Sequence, residues 1–159
     1  ALTYEGTTGI QALDLLGRKV MGSGGELLKG FAELIEAFSV EHRDNPAMAE
    51  FLTPLAAASE ALGDITMTLG GKAMKNPEEV GAASVDYLMY TGYLVLAYLW
   101  ARMAAVSLEK ADSDPFYAAK LKTARFYFQR LLPRTAAHKA AMLSGADNLM
   151  DMAVEEFAL

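Results

Sequence analysis

The segment NPEEVGAASVDYLMYTGYLVLAYLWAR, residues 76–102, decides the fold. Asn76 can cap a helix, Pro77 suits its first position, and Glu79 completes a box-like start. From Tyr87 to Ala101 no residue is charged, with Asp86 and Arg102 at the ends, and the helix can run to about Lys110. A helix apolar almost all round belongs in a membrane or in the middle of a bundle. A span needs roughly 20 apolar residues. This run is shorter and carries Tyr87, Tyr90, Thr91, Tyr93 and Tyr98. The reading is a buried central helix and no transmembrane segment, with Gly81 and Gly92 letting neighbours approach closely.

The flanking segments supply partners for such a helix. Period-two alternation is nearly absent, and apolar spacing of three and four recurs throughout. A first helix is expected from about Thr8 to Met21, with Ile10, Leu13, Leu16 and Val20 on one side. A second starts near Glu26, carries Leu27, Phe31, Leu34 and Phe38, and ends near Arg43. Pro46 opens a third, striped by Phe51, Leu55, Leu62, Ile65 and Leu69, with Pro54 inside it and Gly70-Gly71 at its end. Asp114-Pro115 opens a fifth, faced by Tyr117, Leu121, Ala124, Phe128 and Leu131, and interrupted by Pro133. Gly145 precedes a last short helix. The expected fold is all-α: an up-and-down helical bundle of four or more helices. The run Gly22-Ser23-Gly24-Gly25 favours free reorientation. It divides the chain into residues 1–21, a Gly-rich linker at 22–25, and a helical bundle at 26–159.

Composition excludes several functions. Hydrophobic residues make up 53% of the 159, enough for a substantial core. The net charge of −6 and the lack of a basic patch argue against nucleic acid. Cysteine is absent, so thiolate chemistry and disulfides are excluded. His42 and His138 stand without a second ligand at metal spacing, so no metal is expected. Gly22-Ser23-Gly24-Gly25 follows no strand, and Gly71-Lys72 lacks the upstream glycine and following hydroxyl of a phosphate loop. The aromatic group Phe116, Tyr117, Phe126, Tyr127 and Phe128 reads as core, with a ligand-facing role as the rival.

The segment with chemistry is Tyr4-Glu5-Gly6-Thr7-Thr8-Gly9-Ile10-Gln11. It sets a carboxylate on a glycine-flanked loop just before a helix, whose first N–H groups suit a phosphate or an oxyanion. On residues alone, the favoured reading is that Glu5 and Thr7 simply cap the helix.

This string resembles the signature near the end of flavin-dependent acyl-CoA dehydrogenases. Ala101-Arg102-Met103, Phe116–Leu121, Ala124–Phe128 and Leu131-Leu132-Pro133 are similar to the extra C-terminal helical domain of one subgroup, which includes enzymes similar to methylmercaptopropionyl-CoA dehydrogenase. The resemblance implies that residues 1–21 hold the last helix of the catalytic domain, in a piece of a longer polypeptide. It implies Glu5 as the base that removes the α-proton of an acyl-CoA thioester, Gly6 at the thioester, and Thr7, Thr8 and Gly9 beside FAD. Gly9 departs from the larger polar residue common there and loses a side-chain contact. The resemblance further implies introduction of an α,β double bond, electron-transfer flavoprotein as acceptor, a homo-oligomer, and a bacterial cytoplasmic location. Residues 1–159 alone are expected to bind no FAD and to be inactive. An acyl-CoA oxidase fragment and a free-standing helical interaction module are the competing readings.

Overall fold

Side-chain oxygens start the helices where the sequence puts cap residues. In a computed structural model that describes residues 7–158, Asn45 Oδ1 accepts from the Ala47 N–H at 3.0 Å, Asn76 Oδ1 from Glu78 at 3.1 Å and Asp114 Oδ1 from Phe116 at 2.8 Å. Each satisfies a donor that has no partner inside its helix.

Helix α1 (Thr8–Leu13) continues without a break as a π-helical stretch, Asp14–Met21. Then come α2 (Glu26–His42) and a 3-10 turn at Pro46–Met48 leading into α3 (Ala49–Ala73). Helix α4 (Glu78–Leu108) is followed by α5 (Pro115–Phe126). A π stretch (Tyr127–Leu131) and a 3-10 turn (Leu132–Arg134) then lead to α6 (Thr135–Leu143), with α7 (Asp147–Met150) beyond it. No strand occurs among the described residues. The fold is an all-α bundle, as expected.

Helix α4 is its hub. It packs against α1, α3, α5 and α6, and Tyr98 meets Phe31 and Phe38 of α2 edge-on, at 5.9 and 5.7 Å between ring centres. Its inner side is built from Ala83, Tyr87, Tyr90, Leu94, Ala97, Ala101 and Ala104, all buried. The tyrosines among this apolar sequence find polar partners across helices. Tyr87 Oη shares a 2.7 Å hydrogen bond with Thr66 Oγ1, and Tyr90 Oη donates to Ala58 O at 3.0 Å. Tyr127 of the π stretch donates to Tyr93 O at 2.8 Å. Such bonds let a large ring be buried without orphaning its hydroxyl.

Several local expectations change. Helix α3 runs through Gly70-Gly71 to Ala73. Its last turn is held from outside: Lys72 Nζ donates to Leu143 O at 3.2 Å and lies 3.6 Å from Glu79 Oε2. Glu79 does not reach back to close a capping box. Its Oε1 accepts from the Ala146 N–H at 3.3 Å, and the carboxylate is nearly buried. Gly145 makes this possible, since it turns with φ +87 and a Cβ there would lie 3.3 Å from Glu79 Oε1. Gly81 and Gly92 do not admit neighbours: a Cβ at either would meet nothing within 4 Å. The outer side of α4 is open and still apolar. The helix is long and apolar enough to cross a membrane by length and composition.

The glycine run at 22–25 forms a hydrogen-bonded reversal. Gly22 N donates to Gly17 O and Gly25 N to Val20 O, both at 2.9 Å, and Ser23 Oγ donates to Val20 O at 3.0 Å. Gly24 and Gly25 take φ +63 and +86, values that favour glycine. A Cβ on Gly22 would lie 2.3 Å from Arg18 O, so the π stretch can end this way only on a glycine.

Candidate active-site edge

The segment that leads into α1 carries all the residues expected at a site. Glu5 and Gly6, the expected base and thioester contact, lie outside the described residues. Thr7 is the first residue described. It is extended (φ −82, ψ 116) and its carbonyl accepts from the Gln11 N–H at 3.2 Å, which starts α1. Its side chain makes no capping hydrogen bond, so the simple-cap reading of Thr7 does not describe it. Thr7 and Gly9 are exposed and Thr8 half-buried.

The opposite side of the same helix is fully buried. Ala12 and Leu16 have no exposed surface, and Gly17 faces Val80 of α4 with 3.8 Å between a Cβ built at Gly17 and Val80 Cγ1. Burial of this side sets the orientation of the helix. Residues 7–9 are thereby held at its exposed start, and Ile10 and Leu13 are exposed beside them.

The acidic group nearest in sequence is committed elsewhere. Asp14 is hydrogen-bonded by Arg18, whose Nη2 lies 3.0 Å from Oδ2, and ion-paired with Lys19 Nζ at 3.3 Å. The Arg18 hydrogen bond is the largest effect on its carboxyl and holds it below the usual carboxylate range. A low pKa is the wrong property for a base working near neutrality. Among residues 7–21 no other carboxylate occurs.

The described start of the helix offers two hydroxyls, those of Thr7 and Thr8, and a glycine, Gly9, with open space where its Cβ would be. Among the described residues no cluster of three His, Cys, Asp or Glu side chains could hold a metal.

A profile of proteins described as "acetyl-CoA dehydrogenase C-terminal like" matches residues 29–153, from α2 past α7. The chain belongs to this family. It is 36% identical over 151 residues to the 3-methylmercaptopropionyl-CoA dehydrogenase of Ruegeria pomeroyi, covering 92% of this chain and 26% of that protein. It is 27% identical over 161 residues to a broad-specificity linear acyl-CoA dehydrogenase of Mycobacterium tuberculosis, covering 94% of the chain and 26% of the relative. A butyryl-CoA dehydrogenase of Syntrophomonas wolfei is 29% identical over 161 residues, covering 97% and 26%. The chain thus spans about a quarter of the length of the curated relatives it matches.

Within the family domain, two polar features escaped the sequence reading. His138 Nδ1 lies 2.7 Å from Asp86 Oδ1, with the ring 5.7 Å from that of Tyr93. The Lys72–Glu79 pair anchors the Gly145 turn. Asp86 and His138 are 52 residues apart, and Lys72 and Glu79, close to each other in sequence, reach Leu143 and Ala146 across 71 and 67 residues, so no local spacing signals either contact. His42, by contrast, lies against Phe38 one turn earlier, with the rings tilted at 58° and 4.5 Å between their centres. The aromatic group divides: Tyr127 and Phe128 are core, whereas Phe116 and Phe126 are more than half exposed. Phe116 and Tyr117 border an open apolar groove of about 540 Å³ with Met103, Val106 and Lys120.

Proposed function

We propose that the chain forms the C-terminal part of an FAD-dependent acyl-CoA dehydrogenase, with Glu5 as the α-proton base. The observation that carries this reading is the Tyr4-Glu5-Gly6-Thr7 run leading into the exposed, uncapped start of α1, in a chain of this family. The Glu5 carboxylate takes the α-proton of an acyl-CoA thioester, for which desolvation in an apolar pocket raises its pKa towards the working pH. A backbone N–H at Glu5 or Gly6 donates to the thioester carbonyl and stabilises the charge that develops as the proton leaves. Thr7 and Thr8 hydrogen-bond the cofactor, and Gly9 lets it approach the backbone. FAD, when bound, accepts the β-hydride. Electron-transfer flavoprotein then takes the electrons, and the enzyme works as a homo-oligomer in the bacterial cytoplasm. Residues 1–159 alone bind no FAD, because only one edge of the site is present and ordering it goes uncompensated.

The test is Glu5→Gln in the full-length enzyme. Flavin absorbance is expected to stay, while the rate of flavin reduction by acyl-CoA falls by roughly 100- to 10,000-fold. Near-normal reduction would remove Glu5 from the role. Oxygen uptake at the turnover rate would make the enzyme an oxidase.

A further inference from the structure

The helix that carries the site edge changes form just beyond it. Thr8–Leu13 is α-helical, and Asp14–Met21 is π-helical, a form with i→i+5 hydrogen bonds and wider turns. Such stretches are rare and mostly confined to a single turn, so one of eight residues needs groups that hold it. Its far end is held by Gly22, whose N–H donates to Gly17 O at 2.9 Å. Its near end is held by Asp14. That carboxylate accepts from Arg18, with Nη2 3.0 Å from Oδ2, and pairs with Lys19 Nζ at 3.3 Å. In an α-helix the neighbours of Asp14 would lie three and four residues away, and Lys19 would stand about 140° round the axis. Meeting residues i+4 and i+5 with one carboxylate belongs to the wider turn.

The π form also sets a direction. Ala12, Leu16 and Val20 follow at steps of four and are all buried. Four residues of α-helix overshoot a full turn by about 40°, so an unbroken α-helix would set Ala12 about 80° away from Val20. The wider turns take up this excess and keep the three on one line. Leu16 and Val20 are fixed in the common core. Loss of the π form would therefore swing Thr7–Gly9 round the helix axis by an angle on the order of 80°.

We propose that Asp14 is a positioning residue: by joining Arg18 and Lys19 it holds the π form, and so sets the rotation at which Thr7–Gly9, and Glu5 before them, face cofactor and thioester. This rests on the reading of Glu5 as the base. Asp14 acts through the helix and not on the reacting atoms. Arg18 and Lys19 are exposed, and exposed ion pairs add little to stability, so breaking the group leaves the bundle folded. Positioning is more sensitive, since a displacement of about 1 Å can cost on the order of 100-fold in rate.

In the full-length enzyme, Asp14→Ala should keep its flavin absorbance and nearly its thermal midpoint. Flavin reduction by acyl-CoA should slow by roughly 10- to 100-fold with KM little changed. Amide hydrogen exchange over residues 14–22 should quicken. Lys19→Ala removes one of the two partners and should show both changes to a smaller degree, and it carries the same test if Asp14→Ala loses its flavin. Unchanged exchange over residues 14–22 would overturn the proposal. So would unchanged flavin reduction in an enzyme that Glu5→Gln inactivates. Normal reduction in Glu5→Gln would instead remove the base, while the exchange measurement would still decide whether Asp14 holds the π form, so the two failures are read separately.

Discussion

The inner and outer sides of α4 are differently made. The inner side uses alanine and tyrosine, with Ala97 and Ala101 fully buried and Tyr87 and Tyr90 hydrogen-bonded to α3. The outer side uses Val, Leu and Met with no polar handle. Alanine lets helices approach closely, and a tyrosine hydroxyl fixes one partner in one position. Unbranched and aliphatic side chains fill space without choosing a partner so strictly. The inner side is built for one permanent packing within the chain. The outer side is left uncovered by the rest of the chain described.

The largest test of this contrast removes a neighbour from the inner surface. A chain starting at Gly25 loses Leu16 and Val20, both in the common core. At about 1.5–3 kcal/mol for each fully buried side chain, it should be less stable by about 3–6 kcal/mol. It should still unfold in one helical transition followed by circular dichroism, since residues 26–159 retain α2–α6 around α4. An unfolded product would make residues 7–21 an obligatory part of the bundle.

A smaller effect compares two leucines two positions apart on α4. Leu94 is 1% exposed and Leu96 is 47% exposed. Leu94→Ala should cost about 2–5 kcal/mol in denaturant unfolding. Leu96→Ala should cost under about 1 kcal/mol. Equal losses would mean that the two sides are not distinct.

The smallest effect is alkaline. Burial, with a further contribution from Tyr93, pushes the Tyr127 phenol up to about 12 from 10.0. Burial also raises Tyr87 and Tyr90. The folded state binds these protons more tightly than the unfolded state does. Stability from this source is therefore complete below pH 10, falls as the pH rises towards 12, and levels off above. Thermal midpoints measured across that range should decline, and Tyr127→Phe should flatten the decline. An unchanged slope in Tyr127→Phe would mean that this hydroxyl is not protected in the native state.

Much of the fold was legible because its signals are local. The starts of α4 and α5 and the turn before α3 follow from Asn76, Asp114 and Asn45, whose side chains reach N–H groups two residues on. The stripe from Phe51 to Leu69 is buried as its spacing requires. At the site, the Thr7–Gly9 run is legible as the exposed start of a helix, whereas Glu5 and Gly6 lie outside the described residues. The Gly70-Gly71 stop failed for the opposite reason. A glycine costs a helix only about 1 kcal/mol relative to alanine, and the turn that follows Gly70-Gly71 is held by Lys72, which contacts Glu79 and Leu143. Asp86–His138 was equally invisible, since its members lie on α4 and α6.

The sequence by itself determined the helices, their caps, the all-α class and the family, because capping oxygens, proline positions and apolar spacing act over a few residues. Only the tertiary structure decided which side of α4 is covered. A helix apolar all round carries no preferred direction in its own pattern, so the choice falls to the neighbours. Tyrosines 87 and 90 lock α3 to one side, α2, α5 and α6 occupy the flanks, and the line from Val85 to Val106 is left facing outward.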